Sequence, residues 1–302
     1  MTAKTIGGLI PAPHTPLTAD GKLNVRTVAQ QVARFVESGV SGAFVGGTTG
    51  ECLSLSVSER LELADAWIEA ARGTRLAMII QVGGNCLAEC QLLAERAEQL
   101  GADAIAALAP CFFKPANVDQ LIDWCRRIAE RAPSTPFYFY DIPGMTNVRL
   151  PMAEFLRKGR EAIPTFQGLK YSNDDLIQLQ ECLAVAPDHY RILFGFDELL
   201  LAGLALGVHG AVGNTYNFEA ELYLELMSAF ERGDLLSAQR LQLRSVQLIR
   251  CLGRYGFMAA TKTVMEWSGI DCGPVRPPVV PLTSPQRNQL RAELESLGFV
   301  YP

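Results

Sequence analysis

Lysine is scarce in this chain: Lys4, Lys22, Lys114, Lys158, Lys170 and Lys262 are the only six. One of them, Lys170, closes the apolar run Thr165-Phe166-Gln167-Gly168-Leu169-Lys170. An amine at the end of a buried strand loses its water, which disfavours the charged form and lowers its pKa. A neutral amine is what attacks a carbonyl carbon to form an imine, the Schiff base of covalent catalysis. Moving the pKa from about 10.4 to about 7.5 costs roughly 4 kcal/mol, which the fold has to supply. The competing reading is a lysine paired with a carboxylate such as Asp197 or Glu198, and position alone leaves both readings open.

Other residues could serve the same chemistry. Tyr140 ends the run Phe137-Tyr138-Phe139-Tyr140. A phenol can donate and recover a proton, so Tyr140 is a candidate general acid/base. As the fourth aromatic of an apolar run it also reads as core. Thr48 and Thr49 stand among glycines in Gly46-Gly47-Thr48-Thr49-Gly50-Glu51. Their hydroxyls and accessible backbone N–H groups suit a carboxylate or another small anion, although an ordinary glycine turn has the same composition. No lysine follows the last glycine, so this is no Walker loop, and the spacing does not match the dinucleotide fingerprint GxGxxG. Asp197 and Glu198 can accept hydrogen bonds from sugar-like hydroxyls, or simply occupy the first turn of a helix, where its dipole favours acids.

Charge and composition narrow the partners. With Lys+Arg 27 and Asp+Glu 32, the formal net charge is -5. That argues against a nucleic-acid partner, which needs a basic footprint, but leaves room for a locally positive site that takes a small anion. No apolar run approaches the roughly 20 residues that span a bilayer, so no membrane partner is expected. The segment MTAKTIGGLIPAPHTPL lacks the apolar stretch of a secretion signal, and the expected compartment is the cytoplasm. The eight cysteines, 52, 86, 90, 111, 125, 182, 251 and 272, are scattered and expected to be buried and reduced. His14, His189 and His209 do not cluster, and the Cys86/Cys90 pair has no second half. No metal is expected.

These residues need elements to position them. Short apolar segments at 7–12, 43–46, 76–82, 104–109, 136–140, 165–170, 191–195 and 210–213 read as strands, apolar on both faces as parallel strands under helices should be. Helical patterns alternate with them at 25–37, 57–71, 87–100, 118–130, 152–158, 174–183 and 198–206. Ser56 with Glu59 forms a capping-box signal, Asn117 and Asn173 sit at N-cap positions, and Gly39 and Gly101 at helix ends. The spacing predicts an α/β fold, a (β/α)8 TIM barrel, with an open doubly wound sheet as the alternative. Its strand ends then carry Thr48 and Thr49, Tyr140, Lys170 with Ser172, Gly195 with Asp197 and Glu198, and Gly213 with Asn214. After Gly213 the strand signals stop, and helices are expected at 219–232, 234–252, 258–269 and 284–297. The expected organisation is a barrel over 1–217 with a C-terminal helical extension over 218–302, packed as one unit.

Taken together, Gly46–Glu51, Tyr140–Pro143 and Gly168–Lys170, in that order, resemble the N-acetylneuraminate lyase and dihydrodipicolinate synthase superfamily, the class I pyruvate-dependent aldolases. The resemblance runs from about Gly7 to about Pro274. It is strongest toward the animal-type lyases, through Leu53–Arg60, Pro136–Tyr138, Ile163–Lys170, Leu193–Gly195 and Gly210–Gly213. The synthases usually carry an arginine at the place of Met145 and a tyrosine pair at Cys111 and Phe112. Without them a dicarboxylic substrate loses its cationic partner and a proton relay loses its hydroxyls.

The resemblance implies Lys170 as the imine-forming lysine and Tyr140 as the catalytic tyrosine, assisted by Thr49. It implies Thr48 and Thr49 on the pyruvyl carboxylate, and Ser172, Gly195, Asp197, Glu198 and Gly213 along the sugar end. Asn214 stands where the family usually has serine, and Asp141 where it often has asparagine or histidine. The implied reaction is reversible aldol cleavage of N-acetylneuraminate to pyruvate and N-acetylmannosamine, with no metal or organic cofactor. The implied assembly is a homotetramer. The alternatives are another 2-keto-3-deoxy sugar acid, cleaved or dehydrated, and an inactive sialic-acid-binding barrel. The presence of both Lys170 and Tyr140 argues against the last.

Overall fold

The computed structural model describes Lys4 and residues 6–301. The extreme ends of the two expected segments, residues 1–3, 5 and 302, lie outside the described residues. In chain order the elements are β1 Gly8–Pro11, α1 Val28–Ser38, β2 Gly42–Val45, α2 Val57–Ala70, β3 Ala77–Gln81 and α3 Leu87–Leu100. There follow β4 Ala104–Leu108, α4 Val118–Ala129, β5 Phe137–Asp141, α5 Pro143–Thr146, α6 Met152–Ala162 and β6 Phe166–Tyr171. The barrel ends with α7 Leu176–Val185, β7 Arg191–Phe194, α8 Leu200–Leu206 and β8 Gly210–Gly213. Four helices complete the chain: α9 Ala220–Glu231, α10 Leu235–Arg254, α11 Phe257–Trp267 and α12 Ser284–Ser296.

All the strand pairs are parallel, and the order runs from β1 through β8 down to β2. The two end strands meet at a seam. There the amide and the hydroxyl of Ser41 both donate to the Leu9 carbonyl, at 2.9 and 3.0 Å. Periodicity could not distinguish an open sheet from a barrel; this seam makes it a TIM barrel. Side chains divide by strand parity. Ile10, Phe44, Ile79, Ala106, Leu108, Tyr138, Tyr140 and Val212 fill the interior. Leu9, Val45, Ile80, Ile105, Phe137, Phe139 and Leu169 pack outward against the helices.

Local signals set most boundaries. The Ser56–Glu59 capping box starts α2, Asn117 caps α4, and Gly39 and Gly101 end α1 and α3 in the left-handed conformation. Four expectations need correction. Asn173 caps nothing: Asp175 caps α7 through the Gln178 amide, while Asn173 donates to Asp141 Oδ2 at 3.3 Å. Residues 25–27 and 197–199 are single 3-10 turns ahead of α1 and α8. Helix α5, started by the fixed backbone of Pro143, has too few residues to show periodicity. Cys86 is exposed and Cys111 half-buried, while the other six cysteines are buried; all eight are free thiols.

Strand β6 contains an irregularity that matters for everything above it. Phe137 pairs with Phe166, but Tyr138 pairs with Gly168, so Gln167 is an extra residue in the ladder. A bulge of this kind inverts the alternation of the residues that follow. Phe166 faces the helices, as do Leu169 and Tyr171. Lys170 therefore faces the barrel interior, directly beside Tyr140 in the register. Gly168 carries the bulge at φ 141°, and a Cβ there would lie 2.0 Å from the Arg191 carbonyl oxygen. Gly168→Ala is expected to destabilise the protein by more than about 3 kcal/mol, because backbone has to move. Urea unfolding of the purified variant checks this; a loss under about 1 kcal/mol would mean the ladder tolerates a side chain there.

Candidate active site

Lys170 is 3 % exposed. Its Nζ sits 3.7 Å from the centroid of the Phe44 ring and 4.0 Å from that of Tyr140. These two rings pack edge to face, 5.2 Å apart. Among the described residues no carboxylate forms an ion pair with Lys170, so the paired-lysine reading does not hold. Burial lowers the Lys170 pKa to about 7, with Asp197 pulling the other way. The aromatic faces compensate a charge only in part, and the amine is substantially neutral at neutral pH.

Tyr140 belongs to the interior cluster and also meets Thr48, whose Oγ1 is 3.1 Å from the phenol oxygen. The ring is therefore core, while the hydroxyl reaches the polar Thr48 side chain. Burial pushes its pKa up, with the Thr48 and Ser172 hydroxyls opposing, so the phenol keeps its proton. The loop bearing Thr48 and Thr49 is tied down by Thr15, whose hydroxyl donates to the Gly50 carbonyl at 2.7 Å. Asn214 Nδ2 donates to Thr49 Oγ1 at 3.2 Å. That leaves the Thr49 proton free for an acceptor in the cavity. Asn214 Oδ1 is buried without a partner, an acceptor awaiting a donor.

His14 lies behind Asn214. Thr261 Oγ1 donates to the Met258 carbonyl, so it accepts from His14 Nε2, 2.9 Å away. Burial and then the Lys262 charge lower the His14 pKa to about 3. It is a neutral, structural imidazole.

A cavity of about 530 Å³ opens above Lys170 at the C-terminal ends of the strands. Nine of the ten expected residues line it: Lys170, Tyr140, Thr49, Ser172, Gly195, Asp197, Glu198, Gly213 and Asn214. Thr48 does not; it faces the Tyr140 hydroxyl instead. Asp197 is less free than its acidity suggested. Its Oδ2 accepts from the Thr215 amide and hydroxyl at 3.0 and 2.6 Å. Its Oδ1 lies where a Cβ on residue 213 would stand, 1.9 Å away, which only glycine permits. Burial raises the Asp197 pKa and also that of Glu198. Asp141 does not line this cavity. It lines an adjoining hollow with Arg149 and Gln178, and burial raises its pKa to about 7.

The cavity has walls that the sequence reading did not anticipate. Phe196, Ile249 and Phe257 form an apolar side, and Arg149 stands at the rim. Phe196 adjoined a recognised strand end and could have been found there. Ile249 and Phe257 come from α10 and α11, and nothing local marks them. Among the described residues no group of His, Cys, Asp and Glu is arranged to hold a metal ion. No helix there is long and apolar enough to cross a membrane.

Residues 5–297 match the dihydrodipicolinate synthetase family. The chain is 42% identical over 298 residues to the N-acetylneuraminate lyase of Gallus gallus, covering 97% of each. It is 40% identical over 301 residues to that of Homo sapiens, covering 98% of this chain and 94% of the relative. The fold superposes on Proteus mirabilis N-acetylneuraminate lyase with a TM-score of 0.94 at 40% identity, over 98% and 99% of the two chains.

The amine's burial has a measurable cost. The folded chain binds the Lys170 proton only below about 7, whereas an unperturbed lysine holds it to 10.5. The penalty on the folded state is therefore full below about pH 7 and fades as pH rises toward 10.5. Lys170→Met is expected to raise unfolding free energy near pH 7 by on the order of 4 kcal/mol, with the gain shrinking toward pH 10. Urea unfolding at a series of pH values reads this; no gain at pH 7 would mean the amine is charged and compensated.

Proposed function

The chain belongs to the dihydrodipicolinate synthetase family, and we propose that it cleaves N-acetylneuraminate reversibly to pyruvate and N-acetylmannosamine through an imine on Lys170. It is a carbon–carbon lyase of the class I aldolase type. The observation that carries the imine is the Lys170 amine itself: buried against Phe44 and Tyr140, without an ion pair, its pKa lowered to about 7.

The open-chain keto acid enters with its carboxylate toward Thr49 and the 48–50 backbone. Lys170 adds to the C2 carbonyl and water leaves, giving the protonated imine. That cation is the electron sink for breaking the C3–C4 bond. As the bond breaks, the C4 hydroxyl loses its proton to the Tyr140 oxygen while Tyr140 passes its own to the substrate carboxylate. A phenol held protonated by burial suits such a relay better than a fixed base. The C4 carbon becomes the aldehyde of N-acetylmannosamine. The enamine left on Lys170 takes the relayed proton back at C3 by way of Tyr140, and water hydrolyses the imine, freeing pyruvate and the Lys170 amine.

The sugar end lies along Ser172, Gly195, Glu198, Gly213 and Asn214. Glu198, only half-buried and not tied as Asp197 is, is the better acceptor for the distal hydroxyls. The apolar side of Phe196, Ile249 and Phe257 suits the N-acetyl methyl group. The barrel over 1–217 and the helices over 218–302 act on this reading as one unit. We place the protein in the cytoplasm, a reading that its eight free thiols support. We read the assembly as a homotetramer. Phe112 and Phe113, 77% and 85% exposed and packed on each other, support an interface at the loop after β4.

Borohydride trapping tests the imine. Incubation with pyruvate or with N-acetylneuraminate is expected to leave a reduced pyruvyl adduct on Lys170 in both samples, located by peptide mass mapping. An adduct from pyruvate alone would refute the sugar assignment, and none from either would refute the imine. Tyr140→Phe is expected to lower kcat by roughly 10²–10⁴-fold with the adduct still forming. An unchanged kcat would assign the proton to another group.

A further inference from the structure

The carboxylate loop ends on Glu51, whose backbone lies in the left-handed region at φ 55°. The Glu51 side chain is 7% exposed, and its charge is met by Lys262 of α11, Nζ to Oε1 2.9 Å, itself 3% exposed. The backbone N–H of Arg276 donates to Glu51 Oε2 at 2.8 Å. Lys262 also donates to the Pro274 carbonyl at 2.7 Å. The end of the loop is thus gripped by groups of the C-terminal extension. The adjacent α11 residue, Thr261, holds His14, which lies against Asn214, the donor to Thr49. One helix therefore addresses the Thr48–Thr49 loop from two neighbouring positions.

A buried ion pair is a poor device for stability alone, because removing both charges from water offsets much of their attraction. It is a good device for fixing geometry, since each charge tolerates only its partner's position. A strained backbone persists only where its surroundings hold it.

We propose that Glu51 and Lys262 are positioning residues for the substrate's carboxylate: the buried pair holds the Thr48–Thr49 loop in the conformation that receives it. This rests on the reading that this loop binds the pyruvyl carboxylate. Neither residue lines the main cavity, so their effect passes through the loop.

The test measures the pyruvate concentration that half-saturates borohydride-trapped adduct in the full-length protein, with kcat and melting temperature measured alongside. Glu51→Gln and Lys262→Met are each expected to raise half-saturation about tenfold, with kcat within about threefold, because displacing a binding loop weakens ground-state contacts first. The double variant is expected to be no worse than the poorer single, since the two residues act as one unit. Half-saturation within about twofold of wild type, with only the melting temperature lowered, would overturn the proposal and leave the pair a structural one. Should Lys262→Met fail to fold, Glu51→Gln, nearly isosteric, decides on the same criterion. Thr49→Val, run in parallel, separates the premise from the inference. If Thr49→Val raises half-saturation and Glu51→Gln does not, the inference alone fails. If neither Thr49→Val nor Glu51→Gln changes half-saturation, the loop does not hold the carboxylate and both fail.

Discussion

An amine that must be neutral near pH 7 can be kept so only by withholding water and anions from it, and Lys170 is surrounded accordingly. Two aromatic faces occupy the space where a counter-ion would otherwise sit. Asp197, which pulls the lysine's pKa upward, is itself engaged by Thr215 and does not offset the burial. The position is costly for the folded state. The surrounding core supplies what it needs: a barrel interior of aliphatic and aromatic side chains below, and helices packed outside.

The polar groups around that amine have separate tasks, set by which lone pairs and protons are already engaged. Thr48 meets the Tyr140 hydroxyl, while Thr49 is bonded by Asn214 and keeps its own proton for the cavity. Asp197 is bonded inward, so Glu198, its neighbour, is the freer acceptor of the two. The substitution of Asn214 for the serine usual in the resembling families gains an amide that both donates to Thr49 and leaves an acceptor oxygen unpaired. A single side chain there both bonds Thr49 and lines the cavity.

The C-terminal helices complete the site. Ile249 and Phe257 wall the cavity, Thr261 orients His14, and Lys262 with the Arg276 amide grips Glu51. A barrel reaches its chemistry through loops at the strand ends, and loops are its least constrained parts. Here rigid helical elements reach over one of those loops and hold it.

Read alone, the amino-acid order determined the alternation of strands and helices, the caps of α2 and α4, and the set of strand-end residues, because each is written in a few neighbouring side chains. Nine of ten expected residues meet in one cavity for that reason: a barrel gathers its strand ends whatever the detail of its packing. The orientation of Lys170 was not legible in the same way. Simple alternation from outward-facing Phe166 turns residue 170 toward the helices, and only the bulge at Gln167 reverses it. The ring closure at Ser41, the meeting of Thr48 with Tyr140, and the walls from α10 and α11 were likewise decided by tertiary structure. Each depends on ladder register or on helix packing between residues far apart in the chain. Such contacts are selected by the energy of the assembled core, and no local pattern of residue types records them.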